Sequence, residues 1–291
     1  MIRAEQLSKA FQKNRVLDGL DLTVAAGERV ALVGANGAGK TTLIRCLLGE
    51  YTYEGKLAVG GREPRAERRE VLNRIGFVPQ LPPPLRMTVG RLLGFAAEVC
   101  GGATAPMEAV ARQLGLDPRG LWREPFARLS GGQKQKLLIA IALGRACDLL
   151  ILDEPAANLD PQARRSFFEL LAERQERATM LISSHRIDEV AQLVTRVIEL
   201  DHGRVVLDDR VDGAAALGAL LRCRVDLSRP SEAAASALRS WGLESANGGL
   251  RFEGTIAGPD RLRFLGALAR YSGLLRGLSL EETGDDAEPR P

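Results

Sequence analysis

The residues best suited to chemistry lie in three short stretches. Gly34, Ala35, Asn36, Gly37, Ala38, Gly39, Lys40 and Thr41 (GANGAGKT) fit the spacing GxxxxGK[ST], directly after the apolar run 29–33 and directly before a helical pattern. Handling phosphate calls for this arrangement: glycines let the backbone curl so that its N–H groups point inward, and a helix N-terminus beside them favours negative charge. Lys40 is then placed to reach the β and γ phosphates, and Thr41 to ligate Mg²⁺. The second stretch, 149–155 (LLILDEP), is an apolar strand that ends in two carboxylates. Asp153 is expected in the Mg²⁺ shell, and Glu154, pointing elsewhere, is expected to polarise an attacking water. The third, 129–133 (LSGGQ), opens a helical segment. Ser130, Gly131, Gly132 and Gln133 thus offer a second helix start that can face an anion, although Ser-Gly-Gly alone reads equally well as a plain loop and cap.

Positioning these groups requires strands and helices in alternation. Short apolar, partly β-branched runs at 30–33, 75–78, 149–152, 180–183 and 197–200 read as buried strands. Helical spacing at 41–48, 134–143, 162–175 and 186–193 separates them, which predicts a mostly parallel sheet covered by helices. From residue 81 the rhythm breaks with Pro82, Pro83 and Pro84, then continues without a convincing strand to about 128, as a helical insertion does. After residue 208 the pattern changes to strand 222–227, helix 231–241, strand 250–256, helix 259–271 and strand 274–280, a small α+β appendage followed by an acidic tail.

Composition narrows the class. The chain has 291 residues, 45% apolar and 26% charged, the profile of a globular protein rather than a disordered or collagen-like one. A net charge of +3 gives no electrostatic case for a nucleic-acid partner. The four cysteines form no CxxC or Cys/His cluster, which fits a reducing cytoplasm without a zinc site. The start lacks an apolar stretch of signal-peptide length and no run reaches the length of a membrane span, so docking on a membrane partner is expected and direct insertion is not.

Phosphate loop, LSGGQ and DE-terminated strand, in this order and spacing, resemble the nucleotide-binding subunits of ATP-binding-cassette (ABC) transporters over roughly residues 1–208. The resemblance implies an α/β fold: a P-loop NTPase core of ABC type at 1–210, a helical insertion at about 81–145, and the small α+β appendage at 211–291 as a regulatory or interaction domain. It also implies roles. Gln80, in FVPQ, looks like the glutamine that contacts Mg²⁺ or water where the insertion meets a membrane partner. Asn158, Leu159 and Asp160 look like the D-loop, with Asp160 near nucleotide, and His185 looks like the switch histidine that senses the γ phosphate. Phe11 sits where the family places an aromatic that stacks on adenine, and Thr42 joins the phosphate loop. Two copies are expected to pair head to tail, each MgATP lying between 34–42 of one and 130–133 of the other, and to drive a separate integral membrane permease from the inner face of the cell membrane. The segment 279–283 (SLEET) is similar to the close of cassettes serving ABC-2-type exporters, and 79–85 (PQLPPPL) to cassettes that assist maturation of nitrous-oxide reductase, a periplasmic copper enzyme. A cassette acting on a protein partner without transport shares the same motifs.

Overall fold

Apolar runs too short for helices find their place in a six-stranded sheet. A computed structural model describes residues 1–174, 178–184, 190, 193–210, 220–257, 264, 268 and 271–282. In it β3 (Arg29–Val33), β5 (Ile75–Val78), β6 (Leu149–Asp153), β7 (Thr179–Ser183) and β8 (Arg196–Asp201) lie parallel, and β9 (Arg204–Arg210) returns antiparallel, in the order β5-β6-β7-β3-β8-β9. Strands β6 and β7 are buried at every residue, as a sheet covered on both faces requires. Because the pairs run parallel, the carboxyl ends of β3, β5, β6 and β7 fall on one side of the sheet, where α/β folds present ligand-binding loops.

A second sheet lies beyond the strands that the apolar runs predict. The strands β1 (Ile2–Phe11), β2 (Asn14–Val24) and β4 (Glu54–Val59) pair antiparallel in the order β2-β1-β4. Between the sheets lies α1 (Lys40–Leu47), whose Leu43, Ile44 and Leu47 are fully buried in one core with Leu7, Leu20 and Val24 and with Leu32 and Leu200. Burial of that apolar surface holds α1, and with it the phosphate loop, against the strands.

The insertion is helical as expected. Beyond α2 (Arg68–Asn73) come α3 (Val89–Val99), α4 (Thr104–Gln113) and α5 (Gly131–Leu143). Its interior is fastened by Glu108, whose carboxylate receives two 2.7 Å hydrogen bonds from Arg119 and one of 2.9 Å from the Thr104 hydroxyl. Arg119 in turn lies 4.3 Å over the Trp122 ring, and a Cβ on Gly90 would come within 2.4 Å of that indole. The Arg119 bonds hold the Glu108 carboxyl below its usual range. A depressed carboxyl contributes stability above its unfolded value and loses it as pH falls through the folded value. Glu108→Gln should therefore cost about 1 kcal/mol at neutral pH, below the usual range for a charged hydrogen bond because Arg119 is largely exposed and solvent screens the pair. It should also flatten the loss of stability on acidification below about pH 4.3. Urea titrations at pH 7 and pH 3 check this: equal pH dependence in parent and variant removes Glu108 as the cause.

The compact units are Met1–His185 with Leu193–Arg210, and Arg186–Gln192 with Val211–Pro291. In the latter, β10 (Leu220–Leu227), α7 (Glu232–Ser240), β11 (Glu244–Ala246), β12 (Arg251–Ala257) and β13 (Leu275–Glu282) build an antiparallel sheet in the order β11-β12-β10-β13. The expected appendage lacked β11, which has three residues and no buried position to mark it. With it the described elements run β-α-β-β from β10 to β12, and β13 closes the sheet beside β10. Cys223, Val225, Phe252 and Ile256 face a core shared with Ala234 and Leu238 of α7 and with Phe264 and Leu268. On the opposite face Arg224 pairs with Glu253 at 3.0 Å and Arg251 with Asp226 at 2.7 Å. Most of the expected helices 186–193 and 259–271, and the tail from 283, lie outside the described residues.

Candidate nucleotide site

The loop 34–39 leaves β3 and enters α1 through backbone that side chains resist. Gly34 has φ +143°, and a Cβ there would stand 2.3 Å from the Leu200 carbonyl oxygen; Gly39, the N-cap of α1, has φ +109°. Only glycine accepts both the conformation and the close approach. Lys40, the first residue of α1, is 6% exposed, and its Nζ donates to the carbonyls of Gly34 and Ala35 at 2.6 and 3.2 Å. Burial draws the Lys40 amine below its ordinary value, against the pull of Glu154 and Asp153.

Next along α1, the Thr41 hydroxyl donates to Asp153 Oδ2 at 3.0 Å. The other carboxylate oxygen receives the Ser183 hydroxyl at 2.5 Å, and Asp153 is 3% exposed. Ser183 also accepts the Glu154 amide at 3.0 Å. Glu154 itself takes φ +46°, a left-handed conformation uncommon outside glycine, and its Oε2 accepts from Gln80 Nε2 at 3.0 Å. Thus Lys40, Thr41, Gln80, Asp153 and Glu154, expected from sequence, converge at the carboxyl ends of β3, β5 and β6. The Thr41 hydroxyl, the Asp153 carboxylate and the Gln80 amide oxygen are hard oxygen donors of the kind Mg²⁺ takes beside phosphate, so the residues present fit that ion.

The LSGGQ stretch opens α5 three residues earlier than the expected helix. Ser130 is its N-cap: its Oγ accepts the Gln133 amide at 3.2 Å, and Gln133 Oε1 accepts the Ser130 amide at 2.9 Å, a reciprocal capping box. That closure fixes the first turn, in which the amides of Gly131 and Gly132 have no partner within the helix. The Ser130 hydroxyl proton is not used by the box, which leaves the group able to donate to an anion.

Other expected residues have these partners within the chain. Asp160 caps α6 (Pro161–Ala172), accepting the Ala163 amide at 2.9 Å, and pairs with Lys136 Nζ at 2.7 Å; these bonds hold its carboxyl below the usual range. Phe11 is 40% exposed and meets Tyr51 edge-on at 5.1 Å, with Lys9 Nζ 4.8 Å from its ring centre. His185 lies outside the described residues. Sequence reasoning missed Ser183, fully buried between the two carboxylate residues; its only signal was position, the last residue of a strand that pairs with β6.

The family model for ABC transporters matches residues 17–157, which span the phosphate loop, LSGGQ and the two carboxylates. A phosphonates import ATP-binding protein of Cupriavidus necator is 35% identical over 237 residues, covering 71% of this chain and 81% of the relative. A Nod factor export ATP-binding protein of Paraburkholderia xenovorans is 36% identical over 218 residues, covering 71% and 70%. Among solved structures, an ATP-binding subunit of an ABC transporter superposes with a TM-score of 0.67 at 27% identity, covering 73% of this chain and 90% of the other. With its catalytic core on that fold and its nucleotide residues inside the matched region, the chain belongs to the ATP-binding subunits of ABC transporters and is an ABC ATPase.

Proposed function

We infer that two copies of this chain pair head to tail, each ATP lying between residues 34–42 of one and Ser130–Gln133 of the other, and that hydrolysis parts them. The observation that carries this reading is the split of the phosphate-handling groups over two helix starts. Lys40, Thr41, Gln80, Asp153 and Glu154 gather at one, while Ser130 to Gln133 are shaped by their own capping box at another. Lys40 exchanges its loop carbonyls for phosphate oxygens. Glu154, held by Gln80, orients and deprotonates the attacking water, and His185 senses the γ phosphate. Phe11 offers a face to the adenine, and Asp160 stands close to the nucleotide at the seam. Thr41, Asp153 and Gln80 would hold Mg²⁺, which neutralises phosphate charge when bound. Loss of the γ phosphate removes the contacts that favour closure, so the pair opens.

The motion serves a separate integral membrane permease, which the insertion beside Gln80 contacts from the inner face of the membrane. Among the described residues no helix is long and apolar enough to cross a membrane. Relatives named for import and for export match the cassette about equally and do not set the direction. The close of the appendage, 279–283, supports export of ABC-2 type. The run 79–85 supports the subgroup that assists maturation of nitrous-oxide reductase, and residues 211–291 form the regulatory or interaction domain. Co-purification from detergent-solubilised membranes tests the assignment: a polytopic subunit is expected with the chain, and its repeated absence favours a cassette that acts on a protein partner without transport.

A further inference from the structure

The loop 154–160, which links the carboxyl end of β6 to α6, is attached to α5 at several points on one helix face. Gln135 is fully buried and its Nε2 donates to the Pro155 carbonyl at 3.1 Å. One residue on, Lys136, with 14% of its side chain exposed, reaches Asp160 Oδ2 at 2.7 Å. A turn earlier, a Cβ on Gly132 would stand 3.1 Å from the Asn158 carbonyl oxygen, so the loop backbone rides directly on the first turn. Positions 132, 135 and 136 are related as i, i+3 and i+4 and share a face. The start of the loop, the middle and the end are each held, and Glu154 immediately precedes the first attachment.

Gln135 carries a second peculiarity. Among the described residues its Oε1 has no hydrogen-bond partner although it is buried. Such an orphan is costly, and an apolar side chain of the same length avoids that cost. Stability of the chain therefore does not by itself account for an amide here; holding the Pro155 carbonyl does.

The geometry points to Gln135 and Lys136 as positioning residues for hydrolysis: they fasten the Glu154 loop to α5, so that capture of phosphate at Ser130–Gln133 sets the place of the Glu154 carboxylate. This rests on Glu154 acting on the attacking water, as inferred above. Because the N-terminus of α5 would face one nucleotide of the pair and Glu154 the other, the same attachments tie the two sites together within each chain.

Steady-state ATPase assays on the full chain with MgATP test it. Gln135→Met keeps length and removes both the donor and the orphaned acceptor. It is expected to lower kcat about tenfold or more, since small misplacements of a reacting group carry large rate costs, while the KM for ATP stays within about twofold and the melting temperature falls by no more than a few degrees, the cost of the Pro155 carbonyl left without its donor. Lys136→Met should do likewise, and Lys136→Arg should restore most of the rate. A structural role alone predicts the reverse, a lowered melting temperature with unaltered kcat. Either Met variant with kcat within about twofold of the parent removes that residue from the role; should Gln135→Met fail to fold, Lys136→Met and its Arg rescue decide. Glu154→Gln measured in parallel separates the two ideas: if it is inactive while both Met variants turn over normally, the positioning inference falls and the function stands, whereas an active Glu154→Gln overturns the underlying reading itself.

Discussion

Glu154→Gln is expected to bring steady-state phosphate release down by about 10² to 10⁴-fold, the range supplied by a positioned general base, while ATP still binds. The amide has the shape of the carboxylate and can still accept the Gln80 hydrogen bond now made to Oε2 at 3.0 Å. Its backbone would remain in the left-handed conformation, pinned by the Ser183 hydroxyl on the Glu154 amide. What it lacks is the capacity to take a proton from water. Only the step that breaks the γ phosphate bond should suffer, so ATP should accumulate on the protein and the paired form should persist. Phosphate release reads the first effect, and light scattering with and without ATP reads the second. Turnover within tenfold of the parent would remove Glu154 from its role; lost turnover together with lost ATP binding would mean that the residue shapes the site and does not act on water.

Much of that site could be read before the fold because its parts are local. An apolar run ending in Asp153 and Glu154 is itself the strand that delivers them, and GANGAGKT contains both the glycines that bend the chain and the helix start that follows. Where the reading stopped short, the missing information was non-local. Ser183 serves Asp153 only because β6 and β7 pair in a register that sets those two residues side by side, which no spacing in the chain reveals. The β2-β1-β4 sheet has a weak sequence signal because β1 shifts register repeatedly along its partners, which disrupts the period-two alternation that marks a half-buried strand. At the start of α5, glycines at 131 and 132 argue against helix on propensity, yet the Ser130–Gln133 capping box outweighs them. Asp160 shows the same limit from another side: its motif is legible, but its roles as cap of α6 and partner of Lys136 depend on where the chain places those elements.

Lys40→Met gives the other large effect, on affinity. In the structure Nζ is satisfied by the carbonyls of Gly34 and Ala35, and burial depresses its pKa, which means the folded chain holds the charged amine less readily than water does. A lysine with a depressed value weakens the fold at pH below that value, so removing its charge should leave stability unchanged or raise it. Binding responds in the other direction. Phosphate oxygens would be far better acceptors for Nζ than neutral carbonyls, and each charge-assisted hydrogen bond is worth about 1.5–3 kcal/mol. Loss of two such bonds predicts an ATP affinity lower by about 10² or more. The two signs together make the test sharp, because a merely structural lysine would lose stability first and affinity only in consequence. Equilibrium titration with a fluorescent ATP analogue, alongside thermal unfolding of the free variant, reads both. Unaltered affinity in Lys40→Met would mean that the loop 34–41 does not hold the phosphates.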